Sequence, residues 1–145
     1  MSTPFDEVVQ NILTEHYHNH RQQIHSDIVS EGIYKDLFGK CSELRSDIEN
    51  NIVKSWLNVA SPTRRGRKMD LLIGEPTPEG SPDLQKVRIC VENKSVITAH
   101  RNRDARSDDL YEVLQDLHRI NPQIIMIGTI LVGIAERVLN IPDGV

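Results

Sequence analysis

The spacing of apolar and polar residues predicts an alternation of helices and strands along this chain. Apolar positions that recur every three to four residues indicate amphipathic helices, and short apolar runs bounded by Gly and Pro indicate strands. The predicted helices cover residues 4–20, 26–37, 42–57, 108–119 and 134–139. The predicted strands cover residues 70–73, 87–94 and 123–133. The last strand is continuously apolar, which is typical of a strand buried on both faces of a mixed or parallel sheet.

These elements predict an α/β fold with a central mixed β-sheet of about four strands, flanked by helices, and with additional N-terminal helices. A chain of 145 residues is long enough to bury a core without disulfide bonds. We expect one structural domain overall, in which a helical segment over residues 1–38 packs on a core over residues 39–145. A chain of this size is also compatible with being one part of a longer protein.

Three charged residues stand where the two central strands begin or end. Asp70 opens the first apolar run, while Glu92 and Lys94 close the second. Residues two apart on a strand leave the same face, and the turn between the runs brings Asp70 beside them. Carboxylate oxygens are the ligands that Mg²⁺ prefers, and a neighbouring lysine can orient a water or offset charge on a phosphate. The arrangement suits metal-dependent hydrolysis of phosphodiesters.

Asp70, followed by Glu92, Asn93 and Lys94, resembles the active-site signature of the PD-(D/E)XK nuclease superfamily, which includes many type II restriction endonucleases. Met69 occupies the position of the proline in the family name. The resemblance implies a restriction endonuclease-like core, with Asp70, Glu92 and the main-chain oxygen of Asn93 as ligands of Mg²⁺. It also implies a strand before Asp70, which we expect to be very short or to be formed by residues 64–69.

An acidic residue on the predicted third helix completes the candidate catalytic set. Glu49 falls within the apolar arc of that helix, and a carboxylate on a buried face is costly unless a partner compensates it. PD-(D/E)XK enzymes often carry an acidic residue on the helix before the first catalytic strand, so the resemblance points to Glu49 as well. A glutamate paired with Arg45 or Lys54 is the alternative interpretation.

Basic residues bracket the predicted site, although the formal net charge of the chain is −4. Clustered basic groups can neutralise a phosphate backbone locally while the remaining surface stays acidic. A pair of solvated basic loops is the alternative. The candidate DNA-binding residues are Arg64, Arg65, Arg67, Lys68, Ser95, Arg101, Arg103 and Arg106.

The remaining features restrict the class of protein further. His16, His18 and His20 lie close together, but solvated histidines near a helix end are favoured over a metal site. Cys41 and Cys90 are expected to be reduced. The chain shows no signal-peptide pattern and no apolar segment long enough for a bilayer, so we expect a cytoplasmic protein without a membrane partner.

The resemblance implies a DNA endonuclease that depends on Mg²⁺, with Mn²⁺ able to substitute, and that serves restriction or another defence function. Its partner is DNA, and either a homodimer or further domains of a longer chain would be compatible with it. Two alternatives remain open: a structure-specific DNA repair nuclease or RNase of the same fold, and a non-catalytic nuclease-like domain that binds nucleic acid or assembles with other proteins.

Overall fold

The computed structural model describes residues 3, 5–15, 17–18, 23–96, 99–132 and 137–138. Its helices are α1 (Asp6–Glu15), α2 (Gln23–Lys40), α3 (Ser42–Glu49) and α4 (Ala99–Ile120). Its strands are β1 (Tyr17–His18), β2 (Lys54–Ala60), β3 (Lys68–Pro76), β4 (Pro82–Val96), β5 (Ile125–Val132) and β6 (Arg137–Val138). None of the described helices is long and apolar enough to cross a membrane.

A four-stranded mixed sheet forms the centre of the molecule, in the order β2-β3-β4-β5. The first three strands are antiparallel neighbours, whereas β5 lies parallel to β4. Parallel neighbours need a crossover connection, and α4 provides it. The predicted α/β fold with a mixed sheet of about four strands flanked by helices is therefore confirmed. The short strands β1 and β6 pair separately, in parallel.

Both faces of the sheet are covered by helices, which explains why its central strands are so apolar. On one face, Leu72 and Cys90 form a buried cluster with Leu117 of α4. On the other face, Leu71 and Val91 form a cluster with residues of α2 and α3, among them Leu44. Full burial of such side chains is worth roughly 1.5–3 kcal/mol each. The two clusters hold β3 and β4, the strands that carry Asp70 and Glu92, in the middle of the fold.

The tight pairing of β3 with β4 depends on Gly74. The register between these strands shifts on both sides of Gly74. A Cβ atom at this position would lie 2.5 Å from the Cα atom of Val87, so only glycine allows the two backbones to approach this closely. The turn then spans residues 77–81, with Gly80 at a φ of 92°. The turn predicted between the two strands is confirmed. It is shorter than the Pro- and Gly-rich segment 75–85, from which it was predicted.

The predicted helix over 42–57 is wrong in its second half. Helix α3 ends at Glu49, and Lys54–Ala60 form the edge strand β2. Asn50 follows the helix as its cap, and Asn51 has a φ of 58°, the left-handed conformation that commonly ends helices. Apolar residues on either side of this break happened to fit one helical arc. The strand expected before Asp70 is therefore β2, and residues 64–67 form a loop.

The other helices differ from the prediction mainly at their ends. Helix α1 stops at Glu15, and His16 and His20 lie outside the described residues. Helix α2 is longer than predicted and continues through Gly32 and Gly39. Helix α4 begins at Ala99, so the segment expected to be a polar connection is helical. In the segment predicted as a final helix, the two described residues form the strand β6.

Candidate functional site

The site begins on strand β4, whose alternation sends Glu92 and Lys94 to the face covered by α4. Glu92 is only 3% exposed. The ammonium of Lys94 lies 3.3 Å from Oε2 of Glu92, and the Lys94 side chain is 18% exposed. A buried carboxylate is costly unless an opposite charge or a hydrogen-bond donor accompanies it, and Lys94 supplies both. The predicted pair is therefore brought together in the structure.

Asp70 reaches the same place from the neighbouring strand. Leu71 of β3 pairs with Val91 of β4, so the antiparallel register puts Asp70 opposite Glu92. The backbone N–H of Asn93 donates a hydrogen bond of 2.7 Å to Oδ2 of Asp70. The structure thus brings together Asp70, Glu92, Asn93 and Lys94, as the sequence predicts.

The charge of Asp70 acts on the neighbouring carboxylate of Glu92. Burial and the charge of Asp70 raise the pKa of Glu92 to about 7, although Lys94 opposes the shift. Burial also raises the pKa of Asp70, against the hydrogen bonds from Asn93 and Ser26. One ammonium does not fully compensate two carboxylates in this environment. A cation bound between them would remove the mismatch, and a group whose pKa is shifted by burial and by a nearby like charge is a candidate functional residue.

The donors fit Mg²⁺ better than a metal that needs a complete protein cage. Asp70, Glu92 and the main-chain oxygen of Asn93 provide oxygen ligands only, and Mg²⁺ is usually held by one or two carboxylates with water and substrate phosphates completing its shell. Within the described residues, no group of three or more His, Cys, Asp or Glu side chains is placed to hold a metal ion. Two carboxylates with open positions match the Mg²⁺ pattern.

A cavity of about 60 Å³ lies beside Glu92 and Lys94. The loop between β2 and β3 forms one wall, with Arg67 among its lining residues, and α4 forms the other, with Asp116. The cavity is large enough for ordered water, which needs about 10–15 Å³ by this measure, and its lining offers several polar partners. Water can therefore stand next to the ammonium of Lys94.

Helix α2 closes the site from the opposite face of the sheet, which the sequence prediction missed. Ser26 donates a hydrogen bond to Asp70, and the charge of Asp27 contributes to the raised pKa of Asp70. A polar stripe at helical spacing on α2 is the signal that could have revealed this side of the site. The stripe consists of Gln23, Ser26, Asp27 and Ser30.

Asn58 of β2 holds Asp27 next to Asp70. The register of β2 with β3 places Asn58 opposite Asp70, and Asn58 has a φ of 54°, which is unusual for a residue other than glycine. Its amide donates a hydrogen bond of 3.0 Å to Asp27, while Gln23 donates to both Asn58 and Asp27. Uncommon backbone conformations cluster at functional sites, where the surrounding structure maintains them.

Glu49 does not join the site. It is exposed at the last residue of α3, because the helix that was predicted to bury it ends there. The apolar arc of the predicted helix over 42–57 combined residues of α3 with residues of β2. Asp27 on α2 is the additional acidic side chain that the fold places near Asp70.

Two of the candidate DNA-binding arginines form ion pairs within the protein. Arg64 forms ion pairs of 3.0 Å with Glu112 and 3.1 Å with Asp116, which lower the pKa of Asp116 and tie the loop between β2 and β3 to α4. Arg106 pairs with Asp109 at 3.0 Å on α4. Both side chains are partly exposed and already paired with carboxylates, and their predicted contact with DNA stays a prediction.

The other candidate DNA-binding residues divide into two groups. Arg65, Arg67 and Lys68 are exposed, and Arg67 is near enough to Glu92 to lower its pKa. Arg101 and Arg103 lie on α4 and Ser95 lies on β4, where their side chains fall outside the described part of the chain. The exposed group leaves a basic rim on one side of the cavity.

Comparisons with protein-family models, with curated proteins and with solved structures gave no match for this chain. The functional conclusion therefore rests on the sequence pattern and on the geometry of the site. That geometry is specific: the buried carboxylate of Glu92, the partly buried carboxylate of Asp70, one ammonium and an adjoining cavity with a basic rim.

Proposed function

We propose that this protein is a Mg²⁺-dependent nuclease of the PD-(D/E)XK type that hydrolyses phosphodiester bonds in DNA, as restriction or other defence nucleases do. The observation that carries the proposal is the convergence of Asp70, Glu92 and Lys94 from two neighbouring strands, with Glu92 and Lys94 lining a cavity. A carboxylate pair that only stabilised the fold would not need one member to be buried beside the charge of the other.

The order of elements supports the same proposal. Helices precede three antiparallel strands, and a crossover helix then leads to a strand parallel to the third. This order agrees with a restriction endonuclease-like core, in which the aspartate lies on the second strand and the Glu-x-Lys segment on the third. Asp70 lies on β3 and Glu92 on β4, the second and third strands of the central sheet.

Each residue has a separate part in the proposed reaction. Asp70, Glu92 and the main-chain oxygen of Asn93 would hold Mg²⁺, which supplies a Lewis acid for the phosphate and lowers the pKa of water. Lys94 lies beside the cavity, where its ammonium can orient the attacking water and offset the charge that develops on the phosphate. Its ion pair with Glu92 fixes that ammonium in place.

The basic rim supports a polyanionic substrate. Arg65 and Arg67 are exposed on the loop that borders the cavity and Lys68 is exposed at the start of β3, while Arg64 anchors the loop to α4. Cations of this kind bind phosphates without reading sequence. The proposal therefore assigns them to the DNA backbone near the cleaved bond.

Cleavage of supercoiled plasmid DNA tests the proposal. With Mg²⁺ or Mn²⁺ we expect nicked and then linear DNA, and with EDTA we expect none. A parallel incubation with single-stranded RNA tests the RNase alternative. A pure, folded protein that cleaves neither nucleic acid at any Mg²⁺ or Mn²⁺ concentration would contradict the proposal and favour a non-catalytic domain.

A further inference from the structure

We propose that the side chain of Asn93 is a positioning residue that clamps helix α2 and strand β5 around the carboxylate of Asp70. The inference rests on the proposed nuclease function and concerns a part of the site that takes no direct part in the chemistry. It starts from the alternation of β4, which turns Asn93 away from Glu92 and Lys94 and towards α2.

The amide of Asn93 is saturated by hydrogen bonds on that side. The two N–H groups on its Nδ2 are shared among three acceptors: the main-chain oxygen of Ser26 at 3.1 Å, the hydroxyl of Ser26 at 3.1 Å and the hydroxyl of Ser30 at 2.8 Å. Its Oδ1 accepts a hydrogen bond of 2.6 Å from the hydroxyl of Thr129. One side chain therefore links a helix to two strands.

These contacts lead to Asp70 by two routes. The backbone N–H of Asn93 donates directly to Oδ2 of Asp70. The hydroxyl of Ser26 accepts from the Asn93 amide and donates to Asp70. A rotation or shift at Asn93 would move both donors at once. The orientation of the Asp70 carboxylate thus depends on the residue between Glu92 and Lys94.

The chemistry of the contacts requires an amide at this position. The side chain must donate towards a carbonyl oxygen and accept from a hydroxyl, and among side chains of this length only asparagine does both. Ser30 is completely buried, so its hydroxyl would have no water to replace a lost partner. The register pairs Asn93 with Thr129 directly, which places the acceptor opposite its donor.

Asn93 also carries the main-chain oxygen assigned to Mg²⁺ in the proposed function. The side chain fixes the same peptide segment that presents this oxygen and the N–H to Asp70. Residues that orient metal ligands through hydrogen bonds typically change metal affinity or activity by about 10–100-fold when replaced. We therefore expect the loss of the Asn93 amide to appear first in the Mg²⁺ requirement.

Asn121, which follows α4, offers a matched control because it contacts the other end of β4. Its amide donates to the main-chain oxygens of Gln85 and Val87 on β4, at 3.1 and 3.0 Å. Asn121→Leu and Asn93→Leu each remove a buried or half-buried amide that braces β4, but only Asn93 lies in the site. Thr129→Val removes a single partner of Asn93 and serves as a milder variant.

The experiment measures the Mg²⁺ concentration for half-maximal plasmid cleavage and the Mg²⁺-dependent rise in Tm for all four proteins. We expect Asn93→Leu to need at least about tenfold more Mg²⁺ by both measures, and Thr129→Val to need a few-fold more. Asn121→Leu should need the same Mg²⁺ concentration as the wild type, even if its Tm without metal is lowered as much as that of Asn93→Leu. If Asn93→Leu does not fold, the Thr129→Val result decides in the same way.

Two outcomes would overturn the inference and are distinguishable. If the wild type cleaves DNA and gains Tm with Mg²⁺, but the Asn93 and Thr129 variants require no more Mg²⁺ than Asn121→Leu does, then Asn93 only stabilises the fold and the nuclease function stands. If the wild type neither cleaves nor gains Tm with Mg²⁺, the proposed function fails, and the role of Asn93 fails with it.

Discussion

The two faces of the sheet differ sharply where β4 passes through the site. On the face towards α4, Glu92 and Lys94 are charged and border a cavity. On the face towards α2, Asn93 is neutral and its amide is saturated by Ser26, Ser30 and Thr129. The alternation of β4 thus places Glu92 and Lys94, which can take part in chemistry, on one face and the supporting amide of Asn93 on the other. The Asp70 carboxylate is contacted from the Asn93 face.

The largest expected effect comes from removing Asp70, which belongs to the charged set. We predict that Asp70→Ala abolishes cleavage, because only one carboxylate of the proposed Mg²⁺ pair remains, while the fold persists. DNA binding is expected to be kept or to become tighter, since a negative charge near phosphate is lost. Plasmid cleavage and fluorescence anisotropy with labelled duplex DNA measure the two properties.

Asp36→Ala is the matched control for this prediction, because the Asp36 side chain is 44% exposed on α2 and pairs with Lys40 of the same helix. It should cleave at the wild-type rate. An Asp70→Ala protein that still cleaves at that rate would remove Asp70 from the mechanism.

The strands that carry the charged face could be predicted because their signal is local. The apolar runs of β3 and β4, with turn residues between them, define a hairpin. The hairpin is enough to predict that Asp70, Glu92 and Lys94 lie close together. Strand β2 could not be read in this way, because its exposed edge lacks a clear alternation and its apolar residues extended the pattern of α3. Only the break at Asn50 and Asn51 marked the boundary.

The supporting face could not be predicted because it is assembled by tertiary contacts. Ser26 and Asp27 reach Asp70 only after α2 packs on the sheet, and neither residue forms a motif with it along the chain. The ion pairs of Arg64 could not be predicted for the same reason, since the carboxylates that engage it belong to the distant helix α4.

Asp27 and Glu49 provide a direct comparison between the acidic residue that the structure favours and the one that the sequence suggested. We predict that Asp27→Asn weakens Mg²⁺ binding by up to roughly tenfold, because a charge that acts on Asp70 is lost while the side chain keeps its shape. Glu49→Gln should change nothing, because Glu49 is exposed. Calorimetric titration with Mg²⁺ measures both; the reverse ranking would restore Glu49 to the site.

The cost of the charged face should be visible in the stability of the metal-free protein. The pKa of Glu92 is raised from 4.5 to about 7, so the folded protein binds this proton more tightly than the unfolded chain does. Its free energy of unfolding should therefore fall as pH rises through that interval and level off above it. Because one pKa unit corresponds to about 1.4 kcal/mol, the loss is at most roughly 3.5 kcal/mol.

Glu92→Gln removes the group that ionises and should make this part of the pH dependence disappear. Urea unfolding in EDTA at about pH 5 and about pH 8 compares the two proteins. We expect the variant to be the more stable protein at the higher pH. Equal pH dependence in both proteins would mean that Glu92 ionises without hindrance.

The smallest effects are expected at the basic rim, where a free cation can be compared with an engaged one. Arg67→Ala should reduce the slope of log affinity against log salt by about 0.9 on any duplex sequence, as for one lost phosphate contact. Arg64→Ala should change the slope less, because Glu112 and Asp116 already neutralise its charge. Equal slopes for wild type and Arg67→Ala would make the rim a solvated loop.

The most direct test of the central claim is single-turnover cleavage measured beside calorimetric Mg²⁺ titration for Lys94 variants. If Asp70 and Glu92 hold the metal and Lys94 serves the reaction, Lys94→Ala should keep nearly the wild-type Mg²⁺ affinity and lose at least ~10²-fold in rate. Lys94→Arg should restore little, since a guanidinium is broader and does not give up its proton. Lys86→Ala, on an exposed lysine of the same strand, should behave as wild type. Equal losses of metal affinity and rate in Lys94→Ala, or near-normal cleavage by it, would contradict the account.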